Sequence, residues 1–190
     1  MTATAVNLTV RKAGMRDIPN VIALINSYAA AEIMLPRTEF ELSENIRDFT
    51  VAYDGSLLTG CGALHFYTPT TAEVRSLAVL PERKQHGIGR AIVEALESEA
   101  RENELEAIFA FTYVPGFFGK LGFSEVERGE LPLKAWKDCL RCPKFQKCDE
   151  IAVLKRLKAY QPASFSLRQA LSQATELVQL PELIAISGRH

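Results

Sequence analysis

The stretch Ser76-Leu77-Ala78-Val79-Leu80-Pro81-Glu82-Arg83-Lys84-Gln85-His86-Gly87-Ile88-Gly89-Arg90-Ala91 constrains this chain most. An apolar strand ends, a basic turn follows, and two glycines begin a helix. Backbone N–H groups at a helix start lack intrahelical partners, and the helix dipole is positive there. Such a turn binds phosphate oxygens when no side chain obstructs it. Gly87 and Gly89 remove that obstruction, and Lys84, His86 and Arg90 bring basic side chains close. Taken alone, the turn also reads as an ordinary strand–helix connection, because a lone Gly-x-Gly is a weak signal. A dinucleotide-binding turn is excluded: the third glycine of that spacing is absent, and no acidic residue ends a following strand at the required distance.

The surrounding pattern predicts a mixed α/β domain. Residues 6–11 alternate apolar and polar and read as a strand. Asp17 opens a helix with Pro19 in its first turn, and Ile18, Val21, Ile22, Ile25 and Tyr28 recur at helical spacing. Thr38 and Glu41 form a capping-box pattern that starts a second helix, running to about residue 47. Residues 49–53, 57–66 and 73–80 read as strands, with Asp54-Gly55 as a hairpin turn. Residues 87–101 read as a helix whose apolar stripe is Ile88, Ala91, Ile92, Ala95 and Leu96. A strand at 107–111, a short helix at 115–121, a strand at 123–127 and a strand at 151–154, placed to close the sheet, complete the order β-α-α-β-β-β-α-β-α-β-β. Its front half is antiparallel.

A length of 190 residues suits one domain with a real core, expected over 1–158. Residues 159–190 are expected to form an amphipathic helical tail. There Leu167, Ala170, Leu171, Ala174, Leu177 and Val178 share a stripe that can pack on the domain or on a second subunit of a homodimer. A net charge of −1 calls for neither nucleic acid nor an anionic membrane. Neither a spanning apolar run nor a secretory signal is visible, which predicts a cytoplasmic protein with its four cysteines reduced. Cys139-x-x-Cys142 with Cys148 leaves a structural zinc site one ligand short. Cys61, His65 and Asp149 lack diagnostic spacing for the fourth place, so no metal is expected.

The basic turn resembles motif A of the GNAT acetyltransferases, an Arg/Gln-x-x-Gly-x-Gly/Ala signature, with Lys84 standing where Arg or Gln is usual. Phe117-Phe118-Gly119-Lys120-Leu121-Gly122-Phe123 is similar to the family's second landmark, Tyr-x-x-x-Gly-Phe, with Phe118 in place of the tyrosine. The landmarks stand in the expected order, one helix and one strand apart. The resemblance implies a single acyl-CoA N-acyltransferase domain: a central, mostly antiparallel sheet with a splayed strand pair, flanked by helices. It implies acetyl-CoA as co-substrate. Leu77, Ala78 and Val79 would pair with the pantetheine, and Lys84, Gln85, His86, Gly87, Ile88, Gly89 and Arg90 would cradle the pyrophosphate. Phe118 would lie beside the coenzyme.

From Met34 to about Trp136 the likeness narrows. Leu35-Pro36-Arg37-Thr38, Glu44-Asn45-Ile46-Arg47-Asp48-Phe49 and Ala72-Glu73-Val74-Arg75-Ser76-Leu77-Ala78-Val79 look like the acetyltransferase domain of N-acetylglutamate synthases. Leu131-Pro132-Leu133-Lys134-Ala135-Trp136-Lys137-Asp138-Cys139-Leu140-Arg141-Cys142-Pro143 looks like the short form of that enzyme, which lacks the amino-acid-kinase-like domain and with it inhibition by arginine through that domain. The implied reaction acetylates the α-amine of L-glutamate or L-glutamine, the first step of arginine biosynthesis. Two carboxylates need fixed cations, and arginine binds them bidentately. Arg37 lies where the family places a substrate arginine, Arg75 shares a strand face with Glu73, and Lys134 is a third candidate cation. The plainer alternatives are an ion pair of Arg75 with Glu73 or another acid, and a solvated loop charge at Arg37.

An amine must be neutral to attack a thioester, so a general base is expected, and Glu73 resembles the strand carboxylate some family members use. Its alternative role is to neutralise Arg75, and His65 is a substitute base. The oxyanion donor is expected to be a backbone N–H near Ala78 or Val79. Phe118 cannot protonate the departing thiolate, which leaves Tyr113 as candidate acid or as a wall of the acceptor site. Two other readings stay open: acetylation of another small amine or a protein N-terminus, and a non-catalytic regulatory module that binds acyl-CoA or metal.

Overall fold

The Asp54-Gly55 pair reverses the chain between β2 (Phe49–Asp54) and β3 (Leu57–Thr68), the hairpin that its turn chemistry predicts. The computed structural model describes residues 8–131, 140 and 144–157. Among these, β1 (Leu8–Lys12), β2, β3, β4 (Thr71–Val79), β5 (Ala107–Thr112), β6 (Ser124–Glu125) and β7 (Ile151–Arg156) form one sheet in the order β1-β2-β3-β4-β5-β7-β6. Neighbours are antiparallel except β4 and β5, which are parallel.

Helix α3 (Ile88–Glu102) covers one face, burying Ile88, Ile92, Val93 and Leu96 against Leu64, Ala72, Val74 and Ile108. Helices α1 (Ile18–Ala29) and α2 (Glu39–Asn45) belong to a second core, where Val21, Leu24, Ile25 and Leu42 meet Val51, Cys61, Ala63 and Ala78. The short α4 (Pro115–Gly119) places Phe118 in the α3 core, edge-on to Phe117 and Phe123. Among the described residues, no helix is long and apolar enough to cross a membrane.

The parallel pair is short. Residues Thr71, Ala72 and Glu73 pair with Ala107, Ile108 and Phe109, and the pairing stops there although β4 continues to Val79 and β5 to Thr112. This is the splayed pair. A second irregularity sits in the same strand: Ala63 pairs with Arg75 but Cys61 pairs with Ala78, so β4 carries one extra residue. Ser76, with φ 53°, falls in that interval. The bulge changes the alternation. Val74 before it and Leu77 and Val79 after it pack toward α3, while Ala78 joins the core under α1.

Two expectations need correction. Residues 151–156 do not close the sheet but lie between β5 and β6. Ala152 and Val153 are buried and need neighbours on both sides, whereas the exposed Ser124 and Glu125 suit an edge. The predicted strand at 123–127 is accordingly only two residues long. Asp17 opens α1 as expected, with Pro19 in the first turn, and its side chain is engaged away from the helix end. It accepts hydrogen bonds from Arg11 at 2.8 and 2.9 Å, the Gly14 N–H at 2.8 Å and the Tyr53 hydroxyl at 2.8 Å, tying β1 and β2 to the entry of α1. By contrast Thr38 and Glu41 form the predicted capping box. The stripe expected at 167–178 and the boundary expected at 158 lie outside the described residues.

Candidate active site

The site begins where β4 leaves β5. A cavity of about 410 Å³ opens there, walled by Glu73 to Leu77 of β4, Phe111 to Val114 at the end of β5, and Phe118 of α4. Its other walls are Ala29 and Glu32 to Arg37, from the connection between α1 and α2, and Arg128, Lys144, Cys148 and Glu150. Arg37, Glu73, Arg75, Tyr113, Leu77 and Phe118 thus border one space, although 81 positions separate the first from the last.

Arg75 projects from β4 with its guanidinium almost fully buried, 3.8 Å from Oδ2 of Asp48. The same oxygen meets Nδ1 of His65 at 2.6 Å. An acid beside Arg75 is therefore Asp48, supplied by the turn before β2. Glu73 is buried and accepts a hydrogen bond from the Tyr67 hydroxyl at 3.0 Å. His65 faces Glu73 across the β3–β4 ladder and packs edge-on to Tyr67, 5.0 Å between ring centroids. His65 is not among the residues that border the cavity.

Arg37 is held by its main chain. Its N–H donates to Oδ1 of Asn26 at 2.9 Å, and Nδ2 of Asn26 donates to its carbonyl at 3.0 Å. Tyr113 is partly exposed at the cavity wall, with Nζ of Lys144 5.5 Å from its ring centroid. Burial, the nearby Glu150 charge and a hydrogen bond with Asp149 push its phenol above the usual tyrosine range, so it stays protonated at neutral pH. Burial likewise raises the Glu150 carboxyl, against the pull of Arg128. Arg128 donates to the Glu150 carbonyl and lies 3.2 Å from Sγ of Cys148.

The basic turn lies at the start of α3, beyond this cavity. Gly87 is the residue before the helix, in the left-handed region at φ 78°, and no side chain caps that end. The first helical main-chain bond here runs from Ala91 to the Gly87 carbonyl, which leaves the N–H groups of Ile88, Gly89 and Arg90 outside the helical ladder. A Cβ at Gly89 would stand 3.4 Å from the Phe117 ring. Lys84 places Nζ 5.1 Å from the Tyr28 ring centroid, and the Tyr28 hydroxyl donates to the Val79 carbonyl. Nothing in this turn conflicts with a pyrophosphate: open N–H groups, glycine at the helix entry and exposed Lys84, His86 and Arg90 fit an anion.

Lys134, Cys139 and Cys142 lie outside the described residues. Among the described residues no group of three or more His, Cys, Asp or Glu could hold a metal. Cys61 is fully buried, its thiol pushed up to about 12 by burial and its Sγ 3.7 Å from the Ser76 carbonyl at the bulge. Sequence reasoning missed Arg128, Lys144 and Glu150 as cavity residues. They belong to no regular pattern, and only the return of the chain into β7 brings them to the splay.

Residues 20–123 match the model of the acetyltransferase (GNAT) family. An uncharacterized N-acetyltransferase of Chlorobaculum tepidum is 43% identical over 154 residues, 80% of this chain and 99% of that relative. An amino-acid acetyltransferase of Mycobacterium tuberculosis is 38% identical over 121 residues, 62% of this chain and 69% of that relative. Among solved structures, N-acetylglutamate synthase from Neisseria gonorrhoeae, complexed with coenzyme A and N-acetyl-glutamate, superposes with a TM-score of 0.73 at 26% identity, over 83% of this chain and 37% of that one.

Proposed function

The chain belongs to the acetyltransferase (GNAT) family, and on that premise we propose that it transfers the acetyl group of acetyl-CoA to the α-amine of L-glutamate or L-glutamine. The observation that carries the acceptor is one cavity at the β4–β5 splay bordered by two arginines from different elements, Arg37 and Arg75, with the Glu73 carboxylate between β4 neighbours. Separated carboxylates on a small amino acid need separated cations, and planar guanidinium forks match them. The likeness to amino-acid acetyltransferases, and to a synthase solved with coenzyme A and N-acetyl-glutamate, supports the same acceptor. With glutamate as acceptor the product would be N-acetylglutamate, made in the cytoplasm for arginine biosynthesis.

In this proposal the turn from Lys84 to Arg90 binds the pyrophosphate, and the free edge of β4 from Leu77 to Val79 receives the pantetheine. Glu73 takes a proton from the acceptor ammonium, directly or through a water, so that the neutral amine attacks the thioester carbon. A backbone N–H near Ala78 or Val79 meets the charge that develops on the thioester oxygen. Tyr113, at the cavity wall, donates to the departing thiolate and is restored by the second proton that the acetylated nitrogen must lose; its raised phenol makes it a weak acid for this step. A thiol of ordinary pKa, about 8.5, is a tolerable leaving group, so this proton is worth less than the one removed by Glu73. The test is thiol release from acetyl-CoA with a panel of amino acids and amines. Turnover with glutamate or glutamine well above the other amines is expected, and turnover only with polyamines or peptides would overturn the acceptor.

A further inference from the structure

Asn26 does not border the cavity, yet its side chain is committed to a residue that does. It lies in the last turns of α1, where an asparagine is a weak helix former because its amide competes for main-chain partners. Here the amide is turned outward from the helix and closes on Arg37 alone among its described partners, as acceptor from the N–H at 2.9 Å and donor to the carbonyl at 3.0 Å. A carboxamide is the side chain that offers a donor and an acceptor from one rigid planar group.

The position of that clamp matters. Ala30, Ala31, Glu32 and Ile33 are closed onto the end of α1 by main-chain bonds, and Thr38 is fixed by its capping box. Between these anchors Pro36 restricts one dihedral, and Asn26 holds both main-chain polar groups of Arg37. The stem of the Arg37 side chain is then set before any ligand arrives. We infer that Asn26 is a positioning residue for the acceptor: its carboxamide fixes the main chain from which Arg37 reaches into the cavity. The inference rests on the proposal that Arg37 holds an acceptor carboxylate. Pre-setting a long, rotamer-rich cation lowers the ordering cost of binding, and that saving appears in acceptor affinity.

The experiment compares Asn26→Ala and Asn26→Asp with the parent full-length enzyme. Asn26→Asp keeps the volume and the oxygen that accepts from the N–H but loses the donor to the carbonyl, so it carries the test should the alanine variant fold poorly. KM for glutamate should rise about tenfold in Asn26→Ala and about threefold or more in Asn26→Asp. KM for acetyl-CoA should stay within about twofold, because the coenzyme turn is not touched by the clamp. Combined with Arg37→Ala, the Asn26 change should add nothing further, and hydrogen exchange of the Arg37 amide should accelerate in both Asn26 variants. Wild-type glutamate KM with accelerated exchange, or full additivity with Arg37→Ala, would overturn the inference and leave the acceptor proposal standing. A parent enzyme that acetylates no amino acid would remove the acceptor proposal and this inference together.

Discussion

The Tyr28 hydroxyl donates to the carbonyl of Val79, so the end of α1 is bonded to the last residue of β4, just before the basic turn. The Tyr28 ring also lies under Nζ of Lys84. Tyr28→Phe keeps the ring and removes the bond. It should raise KM for acetyl-CoA about threefold to tenfold and leave KM for the acceptor nearly unchanged, read by steady-state kinetics in both substrates. A change confined to the acceptor KM would contradict the coenzyme role of this strand end.

Arg75 is the cation whose loss should hurt the acceptor most, because its guanidinium is nearly buried beside the cavity. Arg75→Ala should cost about 2–4 kcal/mol in kcat/KM for glutamate, with acetyl-CoA affinity intact by calorimetry. Arg75→Lys should recover part of it, since a point charge does not reproduce the fork. Comparison of glutamate with glutamine in Arg37 and Arg75 variants should identify which arginine meets the side-chain end. Wild-type kinetics in both alanine variants would sink the assignment.

The helix entry makes a different prediction for each glycine. Gly87 has φ 78°, so Gly87→Ala should destabilise the fold by about 1–2 kcal/mol. Gly89 sits against the Phe117 ring at ordinary contact distance, so Gly89→Ala should change the melting temperature little. Its added methyl would meet the side chains of Phe117 and Val79, and on the proposal that this turn holds the pyrophosphate it should weaken acetyl-CoA binding measured by calorimetry. Equal coenzyme affinity in parent and Gly89→Ala would argue against the turn as the pyrophosphate site.

Acid sensitivity should begin at Asp17. Hydrogen bonds from Arg11, then Gly14 and Tyr53, outweigh burial and hold its carboxyl well below the usual range. The unfolded carboxyl titrates near about 3.9, so the unfolded chain takes up this proton first. The stability Asp17 contributes is therefore fully present above about pH 4–5 and is lost as the pH falls toward the folded value. Asp17→Ala should lower stability at pH 7 by about 2–4 kcal/mol and flatten the decline below pH 4, measured by urea unfolding across that range.

Much of the scaffold was legible because its signals are local. The capping box at Thr38 and Glu41, the Asp54-Gly55 hairpin, the apolar stripe of α3 and the glycine-bearing helix entry each depend on residues within a few positions of one another. Arg75 could be singled out for the same reason, as an arginine inside an apolar strand, whereas Arg37 was singled out by the family resemblance. Pattern could also say that Glu73 and Arg75 share a face, since two residues in a strand always do when no bulge intervenes.

Tertiary structure alone decided the rest. Where β4 parts from β5 depends on which residues fail to pair across 36 positions of chain, and no local pattern encodes that. The extra residue at the bulge, with Ser76 at φ 53°, shifts Leu77 and Val79 toward α3, and alternation read along the sequence is blind to it. Arg75 found Asp48 through a turn 27 residues earlier, and Asn26 found Arg37 across the helix connection. The placement of β7 inside the sheet brought Arg128, Lys144 and Glu150 to the cavity. The sequence determined the elements and the chemistry available in each, because those follow from short-range sterics and periodicity. Which of those groups share one cavity was settled by long-range packing, where apolar area and main-chain hydrogen bonds of distant segments are satisfied together.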